Sequence, residues 1–395
     1  VSSLAATPLA VPDLRLVTPS SWVYYAQRAV SGAWLDRAGL PLENVAMTWD
    51  LTADTFTADI APAIALALAA DGRPLLDEWS TLIYAVADGQ IRWGGIHTHS
   101  DLSGPTWSVT ATGFRGYPPG QPYTGPDTQR TNMDPLDGIR LLWAHLQSFP
   151  SGNLHLTVDA ATHSSARLGT PAVAAHGSVA AVAAQPWEMA PWNLTDVGQE
   201  ITRLAGTIPA DMTESHAWAP GSTEQVNHTL SFAVPRAGTR RADLRFVEDE
   251  NMAAVVPLTR DGSTYANGIA GAGAGSGSTT IAGQVAVDDG RLRRFGVYQD
   301  QGVTTIGALK PLLSRELAAR QNMGGAASVT IANHPNAPLG SVSVGDDILL
   351  QFTSGWLGGQ QIWHRVTAIT LNPATGIQTL TTARSDSFSY APTYY

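Results

Sequence analysis

The residues best equipped for chemistry stand together at His97-Thr98-His99-Ser100-Asp101. On a strand, alternate side chains share a face, so His97, His99 and Asp101 would form one row of donors of the kind that holds a metal. Such a site needs a further ligand from elsewhere and outer partners to fix the imidazoles. The plainer reading is a strand end with its polar residues in water. Carboxylates cluster at Asp134 and Asp137, at Glu248, Asp249 and Glu250, and at Asp288 and Asp289. A glycosidase needs two carboxyls at a set separation, which chain spacing does not fix. Helix capping accounts better for Asp134, and a solvated loop for 248–250.

No Gly-x-Ser-x-Gly occurs, and Lys310, the only lysine, completes no Ser-x-x-Lys. With no cysteine, thiolate zinc sites, disulfides and cysteine nucleophiles are excluded. The run Gly268 to Gly277 superficially suggests a phosphate-binding loop, but polar and strand-like residues follow it and no Gly-Lys-Ser or Gly-Lys-Thr ends it. A close-packed or flexible strand connection explains it. Trp187, Trp192 and Trp218 could stack on sugar rings, although core and interface packing is the commoner use of tryptophan. No catalytic, metal-binding or cofactor-binding residue is assigned.

Strand patterns begin the chain. Val45 to Ala58 and Leu82 to Ser100 alternate polar and apolar residues, with Asp88-Gly89 as a two-residue hairpin turn, and Trp107 to Phe114 follows. Arg115 to Asp127 holds four prolines and three glycines in thirteen residues, which marks a domain boundary or a long loop. Asp134 to Phe149 is expected to be a helix capped by Asp134, with Pro135 at its first position. A strand at Asn153 to Val158, a surface excursion from Ala160 to Gln185, and a return to packed structure at Trp187 and Trp192 come next. The second helix is expected at Leu194 to Gly206, capped by Asn193 or Thr195 and closed by Gly206. Strands are expected at Val226 to Val234 and Ala242 to Val247, then a Gly-rich passage from Tyr265 to Gln284 and a helix at Thr304 to Met323. Strands at Val329 to Ala332, Asp347 to Thr353, Ile362 to Leu371 and Ile377 to Ala383 end the chain, with turns at Gly345 to Asp347 and Pro373 to Gly376.

The expected fold is therefore multi-domain and mainly β, with an α/β or α+β middle region. The 395 residues suffice for two to four domains. Only 14% are charged, against about 25% in an average soluble domain, and 38 glycines with 25 prolines imply many turns. Acidic residues outnumber basic ones 33 to 23, a formal charge of −10 that suits neither a phosphate backbone nor an anionic membrane. No apolar run approaches the ~20 residues of a membrane span, and Val1 to Pro12 lacks a signal peptide's positive flank. No solenoid-type repeat is present.

The order of features resembles the minor tail proteins of actinobacteriophages that form the tail-tip hub, the siphophage counterpart of the central hub of contractile-tail baseplates. The matching pieces are IRWGGI at Ile91 to Ile96, WSVTATGFRGY at Trp107 to Tyr117, the helix from Asp134 to Gln147, and the helix and strand from Thr195 to Trp218. YANGIAGAGAGSG at Tyr265 to Gly277 and FGVYQDQGVTTIGALKPLLSRELAA at Phe295 to Ala319 complete them. These pieces lie between Ile91 and Ala319, and the resemblance extends over about residues 30 to 385.

The resemblance implies a homotrimer in which each subunit supplies two tube-like β-barrel domains. Three subunits would then form a pseudo-sixfold ring that adapts the hexameric tail tube and distal tail ring to a threefold tip and gates DNA passage. It implies a first tube domain at 1–118, an α/β insert at 119–252, a second, discontinuous tube domain at 253–287 and 326–395, and a small helical insert at 288–325. Implied partners are further copies of the chain, the distal tail protein, the tail tube or tape-measure protein and other minor tail proteins. Neither sequence-specific nucleic-acid binding nor a membrane span is expected, and no cofactor. The implied location is the phage tail tip, after assembly in the host cytoplasm. A receptor- or glycan-binding tail protein is the alternative, and a cell-wall hydrolase a more distant one.

Overall fold

The computed structural model describes residues 21–172, 183–252, 258–260, 262–263, 265–275, 277–300, 302–321, 324–338, 340–353, 359 and 361–385. Val1 to Pro12, part of the excursion between Ala160 and Gln185, and Met323 lie outside the described residues. The first strands are β1 (Trp22–Arg28), β2 (Trp34–Asp36), β3 (Glu43–Asp50), β4 (Thr55–Ile60), β5 (Thr81–Ala87), β6 (Gln90–Ser103) and β7 (Thr106–Thr112), with the short helix α1 (Pro62–Ala65) between β4 and β5. The middle region holds β8 (Thr128–Arg130), helix α2 (Pro135–Gln147), β9 (Leu156–Val158), β10 (Trp187–Met189), helix α3 (Val197–Gly206), β11 (Asp211–Trp218), β12 (Val226–Ala233) and β13 (Arg240–Val247). Then follow β14 (Leu258–Arg260), β15 (Gly268–Ala272), β16 (Ala282–Ala286), β17 (Phe295–Gln299), helix α4 (Ile306–Gln321), β18 (Gly324–Ala326), β19 (Ser328–Ile331), β20 (Asp347–Gln351), β21 (Gln361–Asn372) and β22 (Ile377–Arg384).

One 12-stranded sheet dominates, running β13-β20-β21-β3-β4-β7-β6-β5-β1-β2, with β22 and β19 branching from β21. It joins the two ends of the chain. β21 pairs antiparallel with β3, Ile369 opposite Trp49 and Leu371 opposite Met47, so a lobe of N-terminal strands and a lobe of C-terminal strands share a ladder. Among the described residues no ladder closes either lobe into a barrel. The sheet ends instead at β13, at β2 and at the branch strand β19. A border at 252 would leave β13 with the insert, yet β13 pairs with β20. A border at 287 runs between β16 and β17, which both pair with β15 in a separate small sheet covered by α4.

The run TLIYAVA of β5 is buried at every position because both faces of the sheet are covered there. Ile83 and Ala85 face the first lobe's core with Phe56, Trp93 and Ala111. Leu82, Tyr84 and Val86 face the insert, joining a core with Leu136, Ile139, Leu142 and Trp143 of α2 and Leu230 and Phe232 of β12. A strand covered on both faces loses its polar alternation. A third core, around Phe246, Ile348, Leu350, Val366 and Leu380, fills the second lobe.

The caps show local chemistry at work. Asp134 accepts from Leu136 N and, through its other bonds, from Ser164 N and Oγ, so it caps α2 as expected. α3 starts later than its pattern suggests: Asp196, not Asn193 or Thr195, is its cap, accepting from Gln199 N. Leu194 takes a left-handed conformation and Thr195 O is taken by Tyr123 N, so neither can enter the helix. Asp88 and Gly89 both have positive φ, 53° and 74°, as their two-residue hairpin requires.

Candidate functional site at the seam between insert and sheet

Strand β11 carries the insert across the large sheet. Its partners in sequence order are Arg365 in the second lobe for Asp211, Arg115 for Met212 O and Glu214, Gly94 and Tyr84 for His216, and Gly89 O for Trp218 Nε1. Thus one strand of DMTESHAW touches both lobes. Glu214, His216 and Trp218 share a face because the strand alternates.

Arg115 is the hub of this seam. It sits in the 3-10 turn after β7, and its guanidinium donates to the carbonyls of Asp50 (2.6 Å), Leu51 (2.7 Å) and Met212 (2.8 Å) and to Asp54 Oδ1 (3.0 Å). Its own backbone N–H donates to Glu214 Oε2 at 2.9 Å, and its Nε lies 3.7 Å from that oxygen. Asp54 also accepts from Asp50 N at 2.9 Å. Burial raises the pKa of both carboxyls. For Glu214, burial comes first and the neighbouring Asp54 charge second, while Arg115 opposes both.

Beyond Glu214 the seam continues in imidazoles. His216 Nδ1 lies 2.8 Å from His228 Nδ1, and His228 Nε2 lies 3.4 Å from the Tyr84 hydroxyl, which donates to Gln27 Oε1 at 2.9 Å. Phe114 closes the cluster, with its ring centre 4.9 Å from His216 and 4.6 Å from His228. Burial lowers His216 to about 3 and His228 to about 4, so both are neutral at pH 7. One ring nitrogen of the facing pair must then donate and the other accept. At the far end Trp34 and Trp218 meet at 5.8 Å, with the Arg37 guanidinium 4.9 Å over Trp34.

Next to the ionic part of the seam lies an open cavity of about 500 Å³, lined by Trp22, Trp49 and Arg92, by Asp54, Arg115 and Glu214, and by residues of the second lobe. It joins the two lobes and the insert. Among the described residues no group of three His, Cys, Asp or Glu could hold a metal. The arrangement is suited to fixing a junction and to holding or releasing protons there.

The residues singled out in the sequence do not converge. A β-bulge at Thr98 reverses the alternation expected of HTHSD, since His97 faces Ala111 and His99 faces the next residue, Thr110. His97 is therefore buried and bonded to Thr110 O and Ser100 Oγ, whereas His99 and Asp101 are exposed on the other face. Asp137 pairs with Arg140, Glu248 accepts from Thr353 N, Glu250 accepts from Asn336, and Asp289 binds Tyr265 and Arg291. Trp187 is buried with its Nε1 on Glu200, Trp218 belongs to the seam, and Trp192 stands 67% exposed rather than returning the chain to a core. The three make no common platform. In the glycine-rich run, a Cβ at Gly271 would fall 2.3 Å from Leu313, so close packing of α4 requires that glycine.

Asp54, Arg115, Glu214, His216 and His228 belong to no catalytic or metal-binding motif of the sequence. The signal was there in glycines: a Cβ at Gly94 would fall 2.9 Å from His216 and Tyr84, and one at Gly113 would fall 1.7 Å from Glu214 Oε1. Both lie in the segments IRWGGI and WSVTATGFRGY.

No protein-family profile matches the sequence, and no curated protein is similar to it. Solved structures are similar in fold. The 43 kDa tail protein of prophage MuSo2 from Shewanella oneidensis aligns over 93% of this chain and 100% of its own, with TM-score 0.56 and 11% identity. A tail protein from Neisseria meningitidis aligns over 94% and 99%, with TM-score 0.55 and 15% identity. The prophage tail protein gp18 from Listeria monocytogenes aligns over 92% and 95%, with TM-score 0.53 and 10% identity. The chain therefore has, over nearly its whole length, the fold of phage tail proteins.

Proposed function

We propose that the chain is the structural hub of a phage tail tip, of the siphophage type found in actinobacteriophages, and works as a homotrimer rather than as an enzyme. The observation that carries this reading is the ladder between β3 and β21, which sets two β lobes edge to edge in one chain. Three such chains supply six adjacent lobes, enough to continue a hexameric tube ring while presenting threefold symmetry to the tip. In this reading the strands of residues 1–118 form one tube unit. The C-terminal strands with β13 form the second, and the insert and the small α4 unit sit outside the ring. The ring's outer neighbours are the distal tail protein, tail tube or tape-measure protein and other minor tail proteins, and assembly takes place in the host cytoplasm.

Trimer formation would cover strands left at the sheet's ends, such as β13 and β2, whose unpaired backbone groups otherwise invite aggregation. Movement of the insert along its seam would open the passage for DNA. Light scattering on the purified chain tests the assembly: a mass near three times 41.6 kDa is expected. A stable dimer or hexamer would contradict it.

A further inference from the structure

Two carboxyls and one guanidinium are shut together at the seam, with side-chain exposures of 8% for Asp54, 1% for Glu214 and 5% for Arg115. Were both acids ionised, the group would hold one uncompensated negative charge out of water, and Asp50 at the end of β3 would add to it. The charged groups facing Glu214 are Asp54 from the β3–β4 turn and Arg115 from the turn after β7. His216, two residues along β11, is neutral.

Hydrogen bonds decide which acid keeps a proton. Asp54 Oδ1 accepts from Asp50 N and Arg115 Nη2, both of which favour its anion. Glu214 Oε2 accepts from Arg115 N, but its Oε1 has no hydrogen-bond partner among the described residues and lies against Gly113. We propose that Glu214 binds one proton when β11 is seated on the sheet, directs it to Asp54, and gives it up to water when β11 lifts, so that opening the seam and releasing a proton are one event.

Burial and then the Asp54 charge lift Glu214 from 4.5 to about 8 in the seated state. Between those values the seated strand holds a proton that the lifted strand does not. The proton's contribution is complete below 4.5 and is lost as pH rises through about 8. The adjoining cavity gives water a short route to the ionised pair, so each position of β11 has its own stable charge state. The site is a property of a single subunit, and its test does not depend on assembly.

Amide hydrogen exchange on the full chain reads the opening of β11 directly. Its protection factor is expected to fall about tenfold per pH unit between about 6.5, below which His216 on the lifted strand takes up a proton and opposes the trend, and about 8, and to level off above. Glu214→Gln is expected to flatten that dependence. Asp54→Asn, which removes the neighbouring charge, is expected to move the levelling point to lower pH. Infrared spectra of the unaltered protein should show the carbonyl band of a protonated carboxylic acid at neutral pH that fades through the same range. A pH-independent β11, no such band, or the full slope persisting in Glu214→Gln would each overturn the proposal. If Glu214→Gln does not fold, the band and Asp54→Asn decide.

Discussion

Gly113 lies directly under Glu214, so close that a Cβ at residue 113 would fall 1.7 Å from Oε1 and 3.1 Å from the Asp54 Cβ. Its φ of −59° is open to any residue, so proximity and not backbone conformation demands glycine. Gly113→Ala is expected to cost about 2–3 kcal/mol, the upper range for overpacking. The cost should shrink in a Gly113→Ala, Glu214→Ala double variant, because neighbours that share a contact are not additive. Urea denaturation of the four proteins measures both effects.

Arg115 satisfies three main-chain carbonyls and the charge of Asp54 at once. Arg115→Met removes this donor from all four and leaves Asp54 with the Asp50 N–H alone. A loss of about 3–5 kcal/mol is expected, as for other broken buried pairs. Adding Asp54→Asn and Glu214→Gln should restore part of it, read by the same denaturation midpoints.

The histidine pair sets an acid limit. His216 and His228 fall to about 3 and about 4 when folded, against 6.5 when unfolded. Below 6.5 the unfolded chain takes up protons that the native seam refuses, so the histidines' contribution to stability is full above that value and declines as pH drops. The decline should approach about 1.4 kcal/mol per pH unit for each histidine. His228→Phe, which keeps the ring stacked on Tyr84 without a titrating nitrogen, should lessen the slope.

The Asp134 cap offers a local test. Its carboxylate serves Leu136 N and both polar groups of Ser164, tying the start of α2 to the loop after β9. Asp134→Ala is expected to cost about 1–2 kcal/mol. Ser164→Ala should cost less, since the cap to Leu136 remains; thermal unfolding of both variants checks the order.

What the sequence made legible was periodicity and local chemistry. The Asp134 cap, the Asp88-Gly89 turn and the helical spacing of Leu136, Ile139, Leu142 and Trp143 depend on residues near in the chain, and each appears in the structure. The later start of α3 follows from Tyr123 binding Thr195 O, a contact made from 72 positions away. A single extra residue at Thr98 was enough to separate His97 from His99, and alternation alone does not reveal a bulge. The seam was illegible for a related reason. Asp54, Arg115 and Glu214 come from three distant segments, and none is unusual by itself. Only the two glycines that make room for β11 marked its place.

In the proposed hub one chain supplies two neighbouring sheet units to a threefold ring. Electron cryo-microscopy of the assembled ring resolves this arrangement. Three copies of the chain and six sheet units are expected around the axis, with β3 and β21 paired inside each copy. A ring of six copies, or one in which β3 and β21 of the same copy stand apart, would contradict it.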